Sequence, residues 1–391
     1  MKSKGLFLIF WLTFIGYSQQ EITEKGELPS ELKEISGMEF SNGQIIAHND
    51  SGNTAELFVL DSTTLAISRR VSITNASNKD WEDIAQDQDY FYVGDIGNNR
   101  GNRQDLVIYK ISKADFFSSD TVMAERIDFS YEDQERFETE GETDWDAEAL
   151  LATDDALIIF TKQWKSHGVA AYTIPKDAGT YTATWLGEYA INGLITGITA
   201  QSNPAHLLAI GYSNFLSPFV VSFNNVSASQ PFGDTVVKSN LDIGLSQIEA
   251  IARVGEKRYF IGAEEYSNAV FGIDVAAKIY AYTLSETEET EGETENPEEE
   301  GEEETPVAET QKEEIILFKE ARQDTLAYVL GTTAEIRRAA IFDVTGKKVK
   351  TLSEEELSAS MIQLHTLKSG IYYLAFYLNN KVIARAFVRD K

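Results

Sequence analysis

One four-residue pattern recurs five times along this chain and limits the folds open to it. Its copies are Ile35-Ser36-Gly37-Met38, Trp81-Glu82-Asp83-Ile84, Ala147-Glu148-Ala149-Leu150, Ile195-Thr196-Gly197-Ile198 and Ile248-Glu249-Ala250-Ile251. A β-rich run follows each copy, such as Gln44 to His48, Tyr90 to Asp95 or Tyr259 to Gly262, and then an alternating third strand, such as Leu57 to Leu60 or Ile279 to Tyr282. The equivalent positions Met38, Ile84, Leu150, Ile198 and Ile251 are spaced by 46, 66, 48 and 53 residues. That is the period of a unit of four short strands that buries its faces against copies of itself, as in a β-propeller. The last repeat stops after three strands at Leu284, and Gln20 to Thr23 can supply the missing outer strand. The expected fold is therefore all-β: a five-bladed β-propeller, or six-bladed if the 66-residue interval conceals a degenerate unit.

The remaining segments divide the chain into four parts. Lys2 and Lys4 precede the apolar run Leu6 to Ile15, with Gly16 and Ser18 placed for a cut after Ser18, so residues 1–18 read as a secretory signal peptide. The apolar run is too short to cross a bilayer, which needs about 20 residues, and no later stretch is longer. The mature chain is expected to have no membrane span. The propeller is placed at 19–285. From Glu286 to Glu304 twelve of nineteen residues are Glu; such a segment repels itself and buries nothing, so 286–314 reads as an acidic disordered linker. Residues 315–391 alternate apolar and polar positions and carry twelve basic and eight acidic side chains, which predicts a small β-sandwich.

Charge and composition narrow the partners. With 63 acidic against 34 basic residues and a net charge of −29, the chain repels nucleic acid. With no Cys and four His it offers no disulfide, thiolate nucleophile or thiolate metal site. Cations and neutral polar ligands fit better.

The repeats place Glu82, Asp83, Glu148 and Glu249 at equivalent points of successive inner strands, and Glu264 at the end of the next strand. Carboxylates about 5 Å apart at an effective dielectric near 20 repel by roughly 3 kcal/mol, so a ring of them must be partly protonated, widely spaced or paired with a cation. Hard oxygen ligands suit calcium, and Ca2+ is the expected cofactor, with Glu82, Asp83, Glu148, Glu249 and Glu264 as its candidate ligands. Hydrogen bonding to neighbouring blade backbones is the other use open to these side chains. Loops after the second strands carry candidate ligand-binding residues: His48, Asn49 and Asp50; Asp95, Asn98, Asn99 and Arg100; Tyr212 and Asn214; Lys162 is a cationic partner inside the ring. They suit a polar small molecule or a glycan, or they form Asx turns.

The tail motifs Phe342-Asp343-x-x-Gly346-Lys347-x-Val349 and Leu367-x-Ser369-Gly370-Ile371-Tyr372, with a closing basic strand to Lys391, resemble the type A C-terminal sorting domain of the Bacteroidetes type IX secretion system. The Pro-Asn-Pro that often opens such domains is absent. The resemblance implies passage across the outer membrane, with the type IX machinery as partner through 315–391, and a secreted or cell-surface destination. The blade cores loosely resemble those of esterase-like phytase and related β-propellers. That likeness implies, as the alternative to a ligand-binding protein, a calcium-dependent phosphoesterase or lactonase using a metal-activated water, with Glu148 or His48 as general base. No Gly-x-Ser-x-Gly or His-Glu-x-x-His motif accompanies it, and whether the chain is an enzyme stays open at this stage.

Overall fold

The computed structural model describes residues 21–137, 143–213, 216–227, 230–244, 246–268, 273–284, 315–320, 325–330, 336–343, 348–378 and 382–389. The expected signal peptide and the expected linker lie outside the described residues.

Strand β1 (Glu21–Glu27) precedes the first repeat, β2 (Ile35–Ser41), β3 (Gln44–Asn49), β4 (Glu56–Asp61) and β5 (Ile67–Ile73). The second repeat holds β6 (Trp81–Gln86), β7 (Tyr90–Asp95), β8 (Leu106–Ser112), the short helix α1 (Lys113–Ser118), β9 (Thr121–Val122) and β10 (Glu125–Tyr131). The third is β11 (Asp146–Ala152), β12 (Ala156–Lys162), β13 (Val169–Pro175) and β14 (Gly179–Tyr189). The fourth is β15 (Leu194–Ala200), β16 (His206–Tyr212), β17 (Pro218–Asn224) and β18 (Thr235–Asn240). The fifth is β19 (Ile248–Arg253), β20 (Arg258–Ala263), a side hairpin of β21 (Tyr266–Asn268) and β22 (Ile273–Val275), and β23 (Lys278–Thr283).

Apart from β9 and the β21-β22 hairpin, the strands of each repeat pair antiparallel in chain order, and the first strands touch one another in a closed cycle: β2 to β6, β6 to β11, β11 to β15, β15 to β19, and β19 back to β2. A cycle of radial sheets of this kind is a β-propeller. The fifth sheet runs β19-β20-β23-β1, with Glu21 opposite Thr283 and Glu27 opposite Lys278. The N-terminal strand thus closes the ring from the outside, where the sequence left the last repeat one strand short. The long second interval is filled by α1, by β9, which pairs parallel with β5, and by a loop leading to Asp146; no further sheet lies in it among the described residues. β10 pairs parallel with β14, so the second and third sheets merge at their outer edges.

Apolar residues fill the space between neighbouring sheets, each contributing one face. Ile46 and Val59 meet Ile84 and Val93; Ile108 meets Leu150 and Ile159; Phe160 meets Ile198 and Ala209; Ile210 meets Ile251 and Ile261; Ala252 and Ile279 return to Met38 and Phe58. Burying one such aliphatic side chain stabilises the fold by about 2 kcal/mol, and the alternation of strand side chains supplies both faces of every sheet.

Each innermost strand is bulged at the second residue of the repeated pattern. The pairing steps from Ile35 to Gly37, Trp81 to Asp83, Ala147 to Ala149, Ile195 to Gly197 and Ile248 to Ala250. Ser36, Glu82, Glu148, Thr196 and Glu249 are therefore the extra residues, turned out of the ladder, which is what a bulge does to a side chain. The following residue is small in four of the five because strands crowd there: a Cβ on Gly37 would sit 2.8 Å from the Ile84 nitrogen.

In the tail, β24 (Ile315–Glu320), β25 (Thr325–Leu330), β26 (Ile336–Asp343), β27 (Lys348–Thr351), helix α2 (Glu354–Ala359), β28 (Met361–Gln363), β29 (Gly370–Leu378) and β30 (Val382–Arg389) form two sheets, β24-β25-β28 and β27-β26-β29-β30. Leu326, Tyr328 and Ile362 of one sheet share an apolar core with Ile341, Leu374, Phe376 and Phe387 of the other. Ser353 caps α2 in a capping box with Glu356. No helix among the described residues is long and apolar enough to cross a membrane.

Candidate functional site

Four of the five bulges deliver their side chains to one mouth of the channel. There a cavity of about 220 Å³ is lined by Ser36, Glu82, Glu148 and Glu249 from the bulges, by Asp50, Asn99, Tyr212 and Glu264 from the ends of second strands and their loops, and by Lys162, Trp164 and Gln247.

Ser36 and Thr196 have hydroxyls and use them to bind the wall: Ser36 Oγ donates to the Glu82 carbonyl at 2.5 Å, and Thr196 Oγ1 to the Ile248 carbonyl at 2.5 Å. The three Glu residues bring carboxyl groups instead. The Lys162 ammonium lies 3.2 Å from Glu148 Oε1 and donates to the Tyr212 hydroxyl at 3.1 Å, which donates to Glu249 Oε1 at 2.9 Å. Lys162 also lies 4.7 Å from the Trp164 ring centre. Burial alone favours its neutral amine, yet Glu148, Tyr212 and Glu249 hold its pKa well above the lysine range. Glu82 has no such partner: it is 6% exposed, and its carboxylate makes no hydrogen bond or ion pair among the described residues.

Two carboxylates complete the cluster. Asp146 is fully buried; its Oδ1 accepts the Asn98 backbone N–H at 2.5 Å, and its Oδ2 accepts Asn99 Nδ2 at 3.1 Å and Trp164 Nε1 at 2.7 Å. Asp80 stands at the start of β6, its carboxylate against Gly97, where a Cβ would lie 2.6 Å from Asp80 Oδ2 and 2.1 Å from Glu82 Oε1. Burial, then the neighbouring carboxylates, push Glu82 well above the usual carboxylate range, Asp80 up to about 7 and Glu264 up to about 8. Burial likewise raises Glu148 and Glu249, opposed in both by Lys162, and raises Asp50. In two groups, Asp50-Asp80-Glu82 and Glu82-Asp146-Glu148, one ligand oxygen per residue lies within 4.8 Å of the others. Hard oxygen donors gathered this closely suit a calcium-sized cation.

The remaining sequence candidates sit elsewhere. Asp83 points into the wall, where its two oxygens accept the Ile84 and Leu150 N–H groups, each at 2.8 Å. His48 is 0% exposed, with Trp81 edge-on at 5.5 Å and Nδ1 against the Asn49 carbonyl at 3.1 Å; burial takes its pKa down to about 4. It lines no part of the cavity. Asn49 Nδ2 holds the Glu31 carbonyl, and Asp95 accepts the Asp80 N–H and pairs with Arg103 at 2.7 Å. Asn98 joins Asp146 through its backbone N–H and accepts the Arg103 N–H at 2.9 Å. Arg100 is exposed, and Asn214 lies outside the described residues.

Sequence reasoning passed over Asp80 and Asp146. The signal for the two Asp residues stood one position upstream of the aligned pattern, where the five repeats read Glu34, Asp80, Asp146, Leu194 and Gln247. Because strand side chains alternate, that position and the bulge project to the same side, giving a second tier of acidic groups.

Residues 323–389 match the family described as the secretion system C-terminal sorting domain. No curated protein matches the chain. Among solved structures, the chain is similar over 68% of its length to the PQQ-bound aldose sugar dehydrogenase of Streptomyces coelicolor (10% identity, 99% of that chain, TM-score 0.37). It is also similar over 68% of its length to a protein of unknown function from Bacteroides thetaiotaomicron (11% identity, 76% of that chain, TM-score 0.39), and over the same share to the Myceliophteria thermophila Cps50 (Swd1) β-propeller domain (9% identity, 100% of that chain, TM-score 0.35). The propeller assignment rests on the cycle of strand contacts, not on these neighbours. The C-terminal part of this chain is a type IX secretion sorting domain, and the chain is cargo for export.

Proposed function

We propose that the cargo is a five-bladed β-propeller that binds a divalent cation, calcium, at the mouth of its channel, and through it a polar ligand such as a glycan, in the secreted or surface-attached state. The observation that carries this reading is the Glu82-Asp146-Glu148 group: three buried carboxylates with ligand oxygens within 4.8 Å, of which Glu82 has no partner of its own. Buried charges of one sign are retained where something of the opposite sign pairs with them, and Lys162 reaches only Glu148, with Tyr212 relaying it to Glu249. Trp164 and Asn99 at the cavity rim supply a flat apolar face and an amide, the groups a sugar ring meets. An ester hydrolase built on this site would take its base from Glu148 or Glu249, since the His48 ring is enclosed. The test is a thermal melt after chelation, with calcium titrated back. At 100 times the dissociation constant the ion should stabilise by about 2.7 kcal/mol. The Glu148→Gln, Glu249→Gln double variant should not respond, and an unresponsive wild-type chain would overturn the reading.

A further inference from the structure

Resting on that reading of the channel, we infer that its mouth holds two divalent cations bridged by Glu82. The two carboxylate groups, Asp50-Asp80-Glu82 and Glu82-Asp146-Glu148, share that one residue. Oxygens bound to one calcium at 2.3–2.6 Å lie within about 5 Å of each other, and each group meets this limit separately, with every oxygen within 4.8 Å of its fellows. Glu82 alone belongs to both, and a carboxylate with two oxygens can serve one ion with each.

The state of Glu82 is an observation independent of the acidic count. It is 6% exposed, lines the cavity, and makes no hydrogen bond or ion pair among the described residues. Its Oε1 and the Asp80 carboxylate rest on Gly97, which leaves no room for a side chain that would push them apart. The inner group is preorganised: Trp164 and Asn99 side chains and the Asn98 N–H aim the Asp146 oxygens, the outer-shell support that metal-binding carboxylates use. The outer group is half-buried at Asp50 and Asp80 and so lies on the solvent side, open to a ligand.

Charge argues the same way. Seven carboxylates, those of Asp50, Asp80, Glu82, Asp146, Glu148, Glu249 and Glu264, gather around the Lys162 ammonium, the one cation lining the cavity among the described residues, with the Arg103 guanidinium acting on Asp80 from outside it. Bound cations favour the ionised carboxylates; with all seven ionised, one doubly charged ion leaves most of the excess in place, and a second removes a further two charges. All donors are oxygen, which selects calcium or magnesium over softer ions.

The pair is tested on the full chain by calcium calorimetry in the presence of a competing chelator, which removes weak binding to the Glu-rich segment. Wild type should take up two tight ions, Asp80→Asn one, and Glu82→Gln none, each variant unfolding cooperatively and no less stable than wild type in chelator. Asp50→Asn provides a second outer-site variant should Asp80→Asn not fold. Manganese at two equivalents should give an exchange-coupled electron paramagnetic resonance spectrum in wild type and an isolated six-line spectrum at one equivalent in Asp80→Asn. One tight ion in wild type, unchanged in Asp80→Asn, overturns the pair while leaving the single-cation site standing. Two tight ions with an uncoupled manganese spectrum overturn the bridge. No tight ion in wild type overturns both the pair and the reading beneath it.

Discussion

The wall of the ring and the mouth of its channel are made from adjacent residues of the same strands, and they treat buried charge in opposite ways. Asp83 and Glu82 are consecutive, both nearly enclosed at 2% and 6% exposure. Asp83 accepts two backbone N–H groups, one of them from Leu150 on the neighbouring inner strand. Glu82, turned out of the ladder by the bulge, accepts none. A hydrogen-bonded carboxylate between strands is a structural tie, whereas an unpartnered one facing a cavity is a group held ready for something else. The difference follows from one extra residue in the ladder, which sends neighbouring side chains to different destinations.

That contrast can be broken at several points. The largest effect is expected at the wall. Asp83→Ala leaves two buried N–H groups without acceptors, at roughly 1–3 kcal/mol each, so calcium-free urea unfolding should show a loss of about 3 kcal/mol. A loss below about 0.5 kcal/mol would remove the structural role of Asp83.

His48, also in the wall, should give an acid effect of similar size. Its folded pKa of about 4 lies below the ordinary 6.5, so the unfolded chain takes up a proton first as pH falls. The stability difference is absent above about pH 6.5, grows as pH falls, and levels off below about pH 4 at roughly 3 kcal/mol. The raised carboxylates titrate in the opposite sense, so the comparison is wild type against His48→Gln at each pH. Parallel pH profiles for the two would contradict the neutral, buried ring.

At the mouth the effects on the calcium-free fold should be smaller and reversed in sign. Glu82→Gln removes a carboxyl whose ionised form is opposed first by burial and then by Glu148, Asp50 and Asp146, and should stabilise the chelated protein by about 1 kcal/mol while abolishing its response to calcium. Destabilisation comparable to that of Asp83→Ala would erase the distinction between the two residues.

The subtlest probe is Gly97→Ala, which alters no charge. The new methyl meets Glu82 Oε1 and Asp80, and the displaced carboxylates should bind calcium about 10- to 100-fold more weakly, with little change in the chelated melt. An unchanged affinity would mean that these two oxygens do not touch the ion.

Much of the ring was legible because the repeated pattern coincides with the bulge: its second residue is the extra one in all five inner strands. The closing strand was legible for a similar reason, since a final repeat ending at Leu284 left an edge that β1 fills. What the sequence withheld was direction. Asp50, Asn99 and Tyr212 line the cavity, while His48, Asn49, Asp95 and Asn98, from the same loops, serve the framework. Residue type and position in the repeat do not tell which way a side chain turns after a bulge or within an Asx-rich loop. Asp80 and Asp146 were missed because they precede the aligned pattern, although the same repeat period carries them.

The most direct test of the channel as a cation site is an anomalous difference map from crystals grown with calcium. The structure predicts a peak 2.3–2.6 Å from oxygens of Glu82, Asp146 and Glu148. A map with no peak at saturating calcium, and with the Glu82 carboxylate bound only by water, would contradict it.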